Sequence, residues 1–275
     1  MKKGRLYIVP TPIGNLEDIS LRALRVLNEV DRIACEDTRV TSKLLKHYEI
    51  EKTLFSYHKY NEQERSQEII LSLYKGEEIA LVSDAGSPGI NDPGSILIQK
   101  AIEENLPVEV LPGATAATTA LIVSGLDSSA FTYLGFIPKK QKEKEDFLKA
   151  LENREETVIL YESVHRVLKT LGQMKEIYPE RKIAVCRELT KLHEEVTRGS
   201  LEEVYELLSS KESLKGEFVF VLEGHVSEKK WSLTEELEKY RDLGFSKKDA
   251  VKKVSKDTGI KRNEVYERSL EIPWN

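Results

Sequence analysis

Short apolar runs alternate with segments of helical period along the first 112 residues, and this alternation constrains the fold more than any other feature. "RLYIVP" (5–10), "RIACED" (32–37), "TLFSYH" (53–58), the run 79–83 and "PVEVLP" (107–112) read as strands. Residues 20–30, 39–50, 61–76 and 94–105 lie between them with helical spacing of their apolar positions. A helix between two strands carries the chain back to the same sheet edge, so the pattern predicts a mainly parallel sheet with helices on both faces. Ser20 or Asp18 is placed to cap the first helix. Asn61 with Glu64 three residues on reads as a capping box, and Gly76 as that helix's stop.

A second set starts near residue 113 with the small-residue helix "GATAATTALIVSGL". Strands are expected at 131–136, 157–163, 182–189 and 217–224, with helices at 139–154, 164–177 and 201–209. After Gly224 no strand pattern remains, and the tail reads as three short helices with turns at Gly244 and Gly259. The expected organisation is an α/β domain over 1–112, a second over 113–225 and a small helical unit over 226–275.

The 275 residues are 40% hydrophobic and 32% charged, which suits a packed, water-exposed protein. No run of 18 apolar residues offers a membrane span, and the run before Pro10 is too short for a signal-peptide core. Cys35 and Cys186 form neither a disulfide framework nor a CxxC knot, which points to a reducing, cytoplasmic setting. With a net charge of −5, any nucleic-acid surface must be a local patch.

Three loops rich in glycine or proline follow strands: "PTPIGN" (10–15), "SDAGSPGINDPG" (83–94) and "PGATA" (112–116). At one edge of a parallel sheet they would line a ligand cleft. Neither a Walker loop nor a dinucleotide fingerprint is present. The 83–94 loop has no lysine or arginine but carries Asp84 and Asp92, so it would repel phosphate and welcome a cationic or hydroxyl-bearing ligand. S-adenosyl-L-methionine, with its sulfonium and ammonium, fits that description; the alternative is that Asp84 caps a turn. No metal-ligand spacing appears, and no metal is expected.

"LYIVPTPIGNLEDISLRALRVL", "DRIACEDTR", "LVSDAGSPGINDPG", "LPGATAATTALIVSGL", "GFIP", "ESVHRV", "CRELTKLHEE" and "GEFVFVLEG" occur in that order. Together they resemble the bacterial small-subunit rRNA 2′-O-ribose methyltransferases of the tetrapyrrole methylase superfamily, over residues 5 to about 224. The resemblance implies two mixed-sheet α/β domains holding S-adenosyl-L-methionine between them, and a homodimer. It also implies a cytidine ribose in the decoding region of small-subunit rRNA as acceptor, on free RNA or the assembled subunit. The superfamily's Gly-Asp-Pro donor motif stands here as Ser83-Asp84-Ala85-Gly86, a departure that the rRNA branch shares. Carried over by position, the donor site takes Pro12, Gly14, Asp84, Ser87, Thr115 and Ala116, with Tyr161 and Leu189 from the second domain.

A ribose hydroxyl is a weak nucleophile, so a positioned base would help. Three clusters near strand ends supply candidates: Glu36, Asp37 and Arg39; Glu162, His165 and Arg166; Arg187, Glu188, Lys191, His193 and Glu194. Glu36 is the first choice as base, with Arg39, Glu162 and Glu188 as further catalytic candidates. Against these stand simpler readings. "EDTR" makes an ordinary ion-paired helix start, and His193 a structural histidine. His47, His58 and His225 have no partner pattern, and "KKQKEKED" (139–146) reads as a solvated face. From Ser246 to Arg262 the tail has seven basic and two acidic residues, a local positive patch for RNA phosphate or a solvated surface. Two other functions remain open: a related methyltransferase acting on a tetrapyrrole or protein acceptor, and a non-catalytic RNA-binding assembly factor.

Overall fold

The structure, a computed structural model, describes residues 3–225 and 232–274. Five short strands alternate with four helices in the first half: β1 (Leu6–Ile8), α1 (Leu21–Glu29), β2 (Arg32–Cys35), α2 (Thr38–His47), β3 (Thr53–Ser56), α3 (Glu62–Tyr74), β4 (Ile79–Val82), α4 (Ser95–Glu103) and β5 (Val108–Val110). The sheet order is β3-β2-β4-β1-β5, and every pairing is parallel. Alternate residues of the central strands feed two separate cores. Ala34, Ile79 and Leu81 pack with α3 and α4, while Ile33, Cys35, Ala80 and Val82 pack with α1 and α2. Burial on both faces explains why these strands read as unbroken apolar runs. It also sets the geometry that matters most: all five carboxyl ends lie along one edge.

The second half contains α5 (Ala116–Ser124), β6 (Phe131–Phe136), α6 (Gln141–Ala150), β7 (Thr157–Ser163), α7 (Val167–Ile177), β8 (Lys182–Arg187), β9 (Glu195–Ser200), α8 (Leu201–Ser209) and β10 (Glu217–Leu222). Its order is β6-β7-β10-β8-β9; only β6 and β7 run parallel. Helices α6, α7 and α8 cover one face. The small residues Ala117 and Ala120 let α5 cover the other, against Ala184 and Cys186. The expected division at 112/113 falls between β5 and α5, so each α/β lobe would keep one sheet.

Two local expectations change and one open choice is decided. β9, "EVTRGS", is not among the expected strands; as an edge strand with partly solvated residues it needs no apolar run. Ser20 caps α1 through Ala23 N–H, whereas Asp18 ends a short 3-10 turn. Asn61 makes no cap. It accepts from His58 N–H at 2.8 Å and donates to Ser56 O at 3.2 Å, so the expected box with Glu64 does not form.

The C-terminal unit, Val226–Asn275, is compact in itself. Its helices are α9 (Leu233–Asp242), α10 (Lys247–Thr258) and α11 (Arg262–Ser269). They close on Leu237, Ala250, Val251, Val254, Val265 and Ile272. Gly244 and Gly259 form the two turns, as the sequence predicts.

Candidate active site

The loop after β1 and the loop after β4 are locked together. Thr11 N–H donates to Gly86 O at 2.9 Å and Gly86 N–H donates to Thr11 O at 3.0 Å. Thr11 Oγ1 donates to Ser83 O, and Ser83 Oγ to Gly86 O, each at 3.0 Å. Gly86 has φ +77°, a left-handed conformation that favours glycine, and faces Ile13 and Ala114 O. The three loops therefore meet at one residue. Pro12 is buried beside this junction, and Ser87 follows it. Thr115 occupies the N-cap position of α5 and Ala116 opens the helix.

Carboxylates gather at this edge. Glu36 follows β2, Asp84 follows β4, and Asp92 lies farther along the same loop. Asp84 Oδ1 accepts from Asp37 N–H at 3.1 Å, which ties the β2 loop to the β4 loop. Burial raises the Glu36 pKa first, and the charges of Asp92 and Asp84 raise it further. Asp84 is also raised, chiefly by burial, and Asp92 by burial and then by Asp84. Three acids thus share a partly dry corner and disfavour one another's charge. His58 opposes this effect at Glu36. No local motif marks His58, but parallel pairing of Cys35 with Ser56 carries it beside the β2 loop. Its Nδ1 is buried without a hydrogen-bond partner among the described residues.

The second sheet supplies the facing wall. Asn91 Nδ2 donates to the Tyr133 hydroxyl. The Tyr133 and Phe136 rings stand edge-on to Tyr161, with centroids 5.1 and 5.4 Å away. Burial, followed by Tyr133, pushes the Tyr161 hydroxyl pKa up, and the charge of Asp92 adds to the rise. Gly14 presses on the segment Leu189–Lys191: a Cβ there would sit 2.6 Å from Thr190 Oγ1 and 2.8 Å from Leu189 O. Asn15 N–H donates to Thr190 Oγ1 at 3.1 Å. Thr190 and Glu188 hold φ +64° and +52°, strain of the kind that gathers at functional sites. Leu189 is anchored in the core under α5.

Residues 5–205 match the family described as Tetrapyrrole (Corrin/Porphyrin) Methylases. The chain belongs to the tetrapyrrole methylase family. It is 44% identical over 272 residues to "Ribosomal RNA small subunit methyltransferase I" of Halalkalibacterium halodurans, covering 96% of this chain and 94% of that one. The protein of that name from Bacillus subtilis is 46% identical, with 96% of this chain and 93% of that one covered. A solved diphthine synthase shares the fold with a TM-score of 0.64 at 16% identity, covering 81% of this chain and 92% of that one.

In this tetrapyrrole methylase the donor candidates Pro12, Gly14, Asp84, Ser87, Thr115, Ala116, Tyr161 and Leu189 all lie on the loops and wall just described. The catalytic candidates separate. Only Glu36 faces the acidic corner. Arg39 is 85% exposed and pairs at 2.6 Å with Asp37, whose side chain also accepts from Arg39 N–H at the start of α2. That is the simpler ion-paired reading of "EDTR"; these bonds hold the Asp37 carboxyl at about 2. Glu188 accepts from Lys191 Nζ and Glu217 N–H, both at 2.9 Å, so it shapes the Leu189–Lys191 segment.

Glu162 points away from the cleft. It neighbours Tyr161 on β7, and side chains alternate across a strand, so it enters the opposite core. Its carboxylate pairs with Arg166 at 2.6 Å and accepts from Thr170 Oγ1 at 2.5 Å. Lys144 Nζ donates to Thr170 Oγ1 at 2.6 Å. Lys144 is only 3% exposed, so the 139–146 run is not wholly a solvated face. His165 and His193 are exposed. Among the described residues, no group of three or more His, Cys, Asp and Glu side chains converges on a metal position. No described helix is long and apolar enough to cross a membrane.

Proposed function

We propose that this protein transfers a methyl group from S-adenosyl-L-methionine to the 2′-hydroxyl of a cytidine ribose in the decoding region of small-subunit rRNA, acting as a homodimer in the cytoplasm. The observation that carries the donor assignment is the partly buried corner of three carboxylates, Glu36, Asp84 and Asp92, all raised by burial and two of them also by the charge of Asp84, at the edge where the three loops meet. A cationic, hydroxyl-bearing ligand relieves their repulsion, and a phosphate would not. The rRNA acceptor rests on relatives more than 40% identical over nearly the whole chain, whose names specify small-subunit ribosomal RNA. Exposed Val110 and Ile122 offer apolar surface to a second copy.

Pro12, Gly14, Ser87, Thr115, Ala116 and Leu189 shape the donor cradle, largely through backbone, and Asp84 and Tyr161 supply polar contacts. The bound donor supplies an electrophilic methyl group on a positively charged sulfur. Glu36 takes the proton of the acceptor hydroxyl; its raised pKa makes it a better base than an ordinary carboxylate at the cost of ionising at higher pH. No metal enters this scheme. The test is to incubate the protein with S-adenosyl-L-methionine, chelator and either small-subunit rRNA or assembled subunits, and to map ribose methylation. One new 2′-O-methylcytidine in the decoding region is the expected result. Methylation at a base, or none on either substrate, overturns the reading.

A further inference from the structure

We infer that the C-terminal helical unit carries an RNA-phosphate docking surface, formed by the outer stripe of α10 and the start of α11; the inference rests on the RNA acceptor proposed above. Lys248, Lys252 and Lys256 recur every four residues on α10, so they form one stripe. All three are exposed, on the side away from buried Ala250, Val251 and Val254. A three-residue turn, Gly259 to Lys261, joins α10 to α11, and exposed Lys261 and Arg262 begin the second helix. Two packed helices joined by so short a turn share the connectivity of helix-turn-helix motifs, whose second helix commonly meets nucleic acid through its first residues.

The charge pairing sets this surface apart. The ion pairs of the unit use Lys239, Arg241 and Arg268. Among the described residues, none of the five surface cations named here has a carboxylate within ion-pair distance. The two acids of α10 are turned to hydroxyls: Asp249 accepts from Ser246 Oγ at 2.6 Å and Asp257 from the Tyr240 hydroxyl at 2.5 Å. Glu264 in the first turn of α11 is exposed and pairs with none of the five cations. Unpaired cations in a chain of net charge −5 form a local attractor for a polyanion. The major groove of A-form RNA is too deep and narrow for side-chain readout. The stripe therefore lies across phosphates and contributes affinity rather than sequence choice.

The test uses the full chain and two surface variants, K248Q/K252Q/K256Q and K261Q/R262Q. Binding of a transcribed small-subunit rRNA fragment spanning the decoding region is measured by fluorescence anisotropy at several salt concentrations. Each variant should bind roughly tenfold or more weakly at low salt, with a log–log salt slope shallower by about 0.7–0.9 for each phosphate that the variant no longer neutralises. Its thermal midpoint and donor affinity should match the parent. Salt lines that run parallel to the parent's overturn the inference, as does an equal loss on duplex DNA of the same length, which would mark a generic polyanion site. Because binding is read without turnover, a parent that binds but fails to methylate would sink the functional reading alone.

Discussion

Glu36 and Glu162 are both glutamates near the carboxyl end of a strand, and packing gives them opposite surroundings. Glu36 stands half-buried among like charges, and both burial and those charges favour its protonated form. Glu162 is fully enclosed by Arg166 and by the hydroxyl of Thr170, which also meets Lys144. Glu36→Gln should keep the fold and weaken donor binding only as the loss of one of the three charges does, but at saturating donor it should lower kcat by roughly 10²–10⁴-fold, the usual worth of a positioned base. In the parent, activity should rise with pH as the Glu36 carboxyl ionises, and that acidic limb should vanish in the variant. Full turnover in Glu36→Gln would leave orientation alone to drive the reaction. Glu162→Gln should do the reverse. It leaves Arg166 and Lys144 with less counter-charge, and breaking a buried pair costs about 3–5 kcal/mol. Urea denaturation should register that loss, while kcat of the folded protein holds. A collapse of kcat with stability intact would return Glu162 to the chemistry.

At the level of elements, parallel βαβ order was readable because burial on both faces of the central strands imposes unbroken apolar runs, and those runs survive any choice of helix register. The three loops proposed to cradle the donor were readable as loops because their glycines and prolines mark strand ends. Three features were not readable, each for a physical reason. β9 pairs only at an edge and needs no apolar pattern. Lys144 looks like its solvated neighbours, and only the fold brings Thr170 within 2.6 Å of it. His58 gains its neighbour from strand order, which no local motif encodes. The packing of the β1 loop on the Leu189–Lys191 segment is likewise long-range, and it yields a prediction. In Gly14→Ala the new methyl would lie 2.6 Å from Thr190 Oγ1, so the loops must part. Calorimetry should show donor affinity at least tenfold weaker. Gly244→Ala is the comparison: φ is +82° but no atom lies within 4 Å, so the cost is strain of roughly 1 kcal/mol with donor affinity intact. Equal donor affinity in Gly14→Ala would mean that the segment yields and does not shape the cradle.

For the whole molecule, donor binding at the acidic corner, as proposed above, would couple ligand to stability. The folded-state pKa values of Glu36, Asp84 and Asp92 are raised, so the free folded protein holds these protons more tightly than the unfolded chain does. Stability from these groups therefore falls as pH rises from the ordinary carboxylate range through the raised values, and the full penalty is present above them. Asp37, Glu156 and Glu195 have lowered values and act oppositely, losing stability as pH falls, but they are common to parent and variant and cancel in a difference. Asp92→Asn removes one of the three charges and keeps the shape. At neutral pH without ligand its thermal midpoint should rise by about 2–4 °C, the shift that roughly 1 kcal/mol gives in chains of comparable size. The gain should shrink as the pH drops below the ordinary carboxylate range, where the parent's three acids are protonated in both states. The rise in midpoint on adding S-adenosyl-L-methionine should be smaller in the variant, because a cationic ligand no longer relieves the same repulsion and binds less tightly. A midpoint lowered at every pH would instead make Asp92 a structural acceptor, and an unchanged ligand-induced rise would remove it from the donor site.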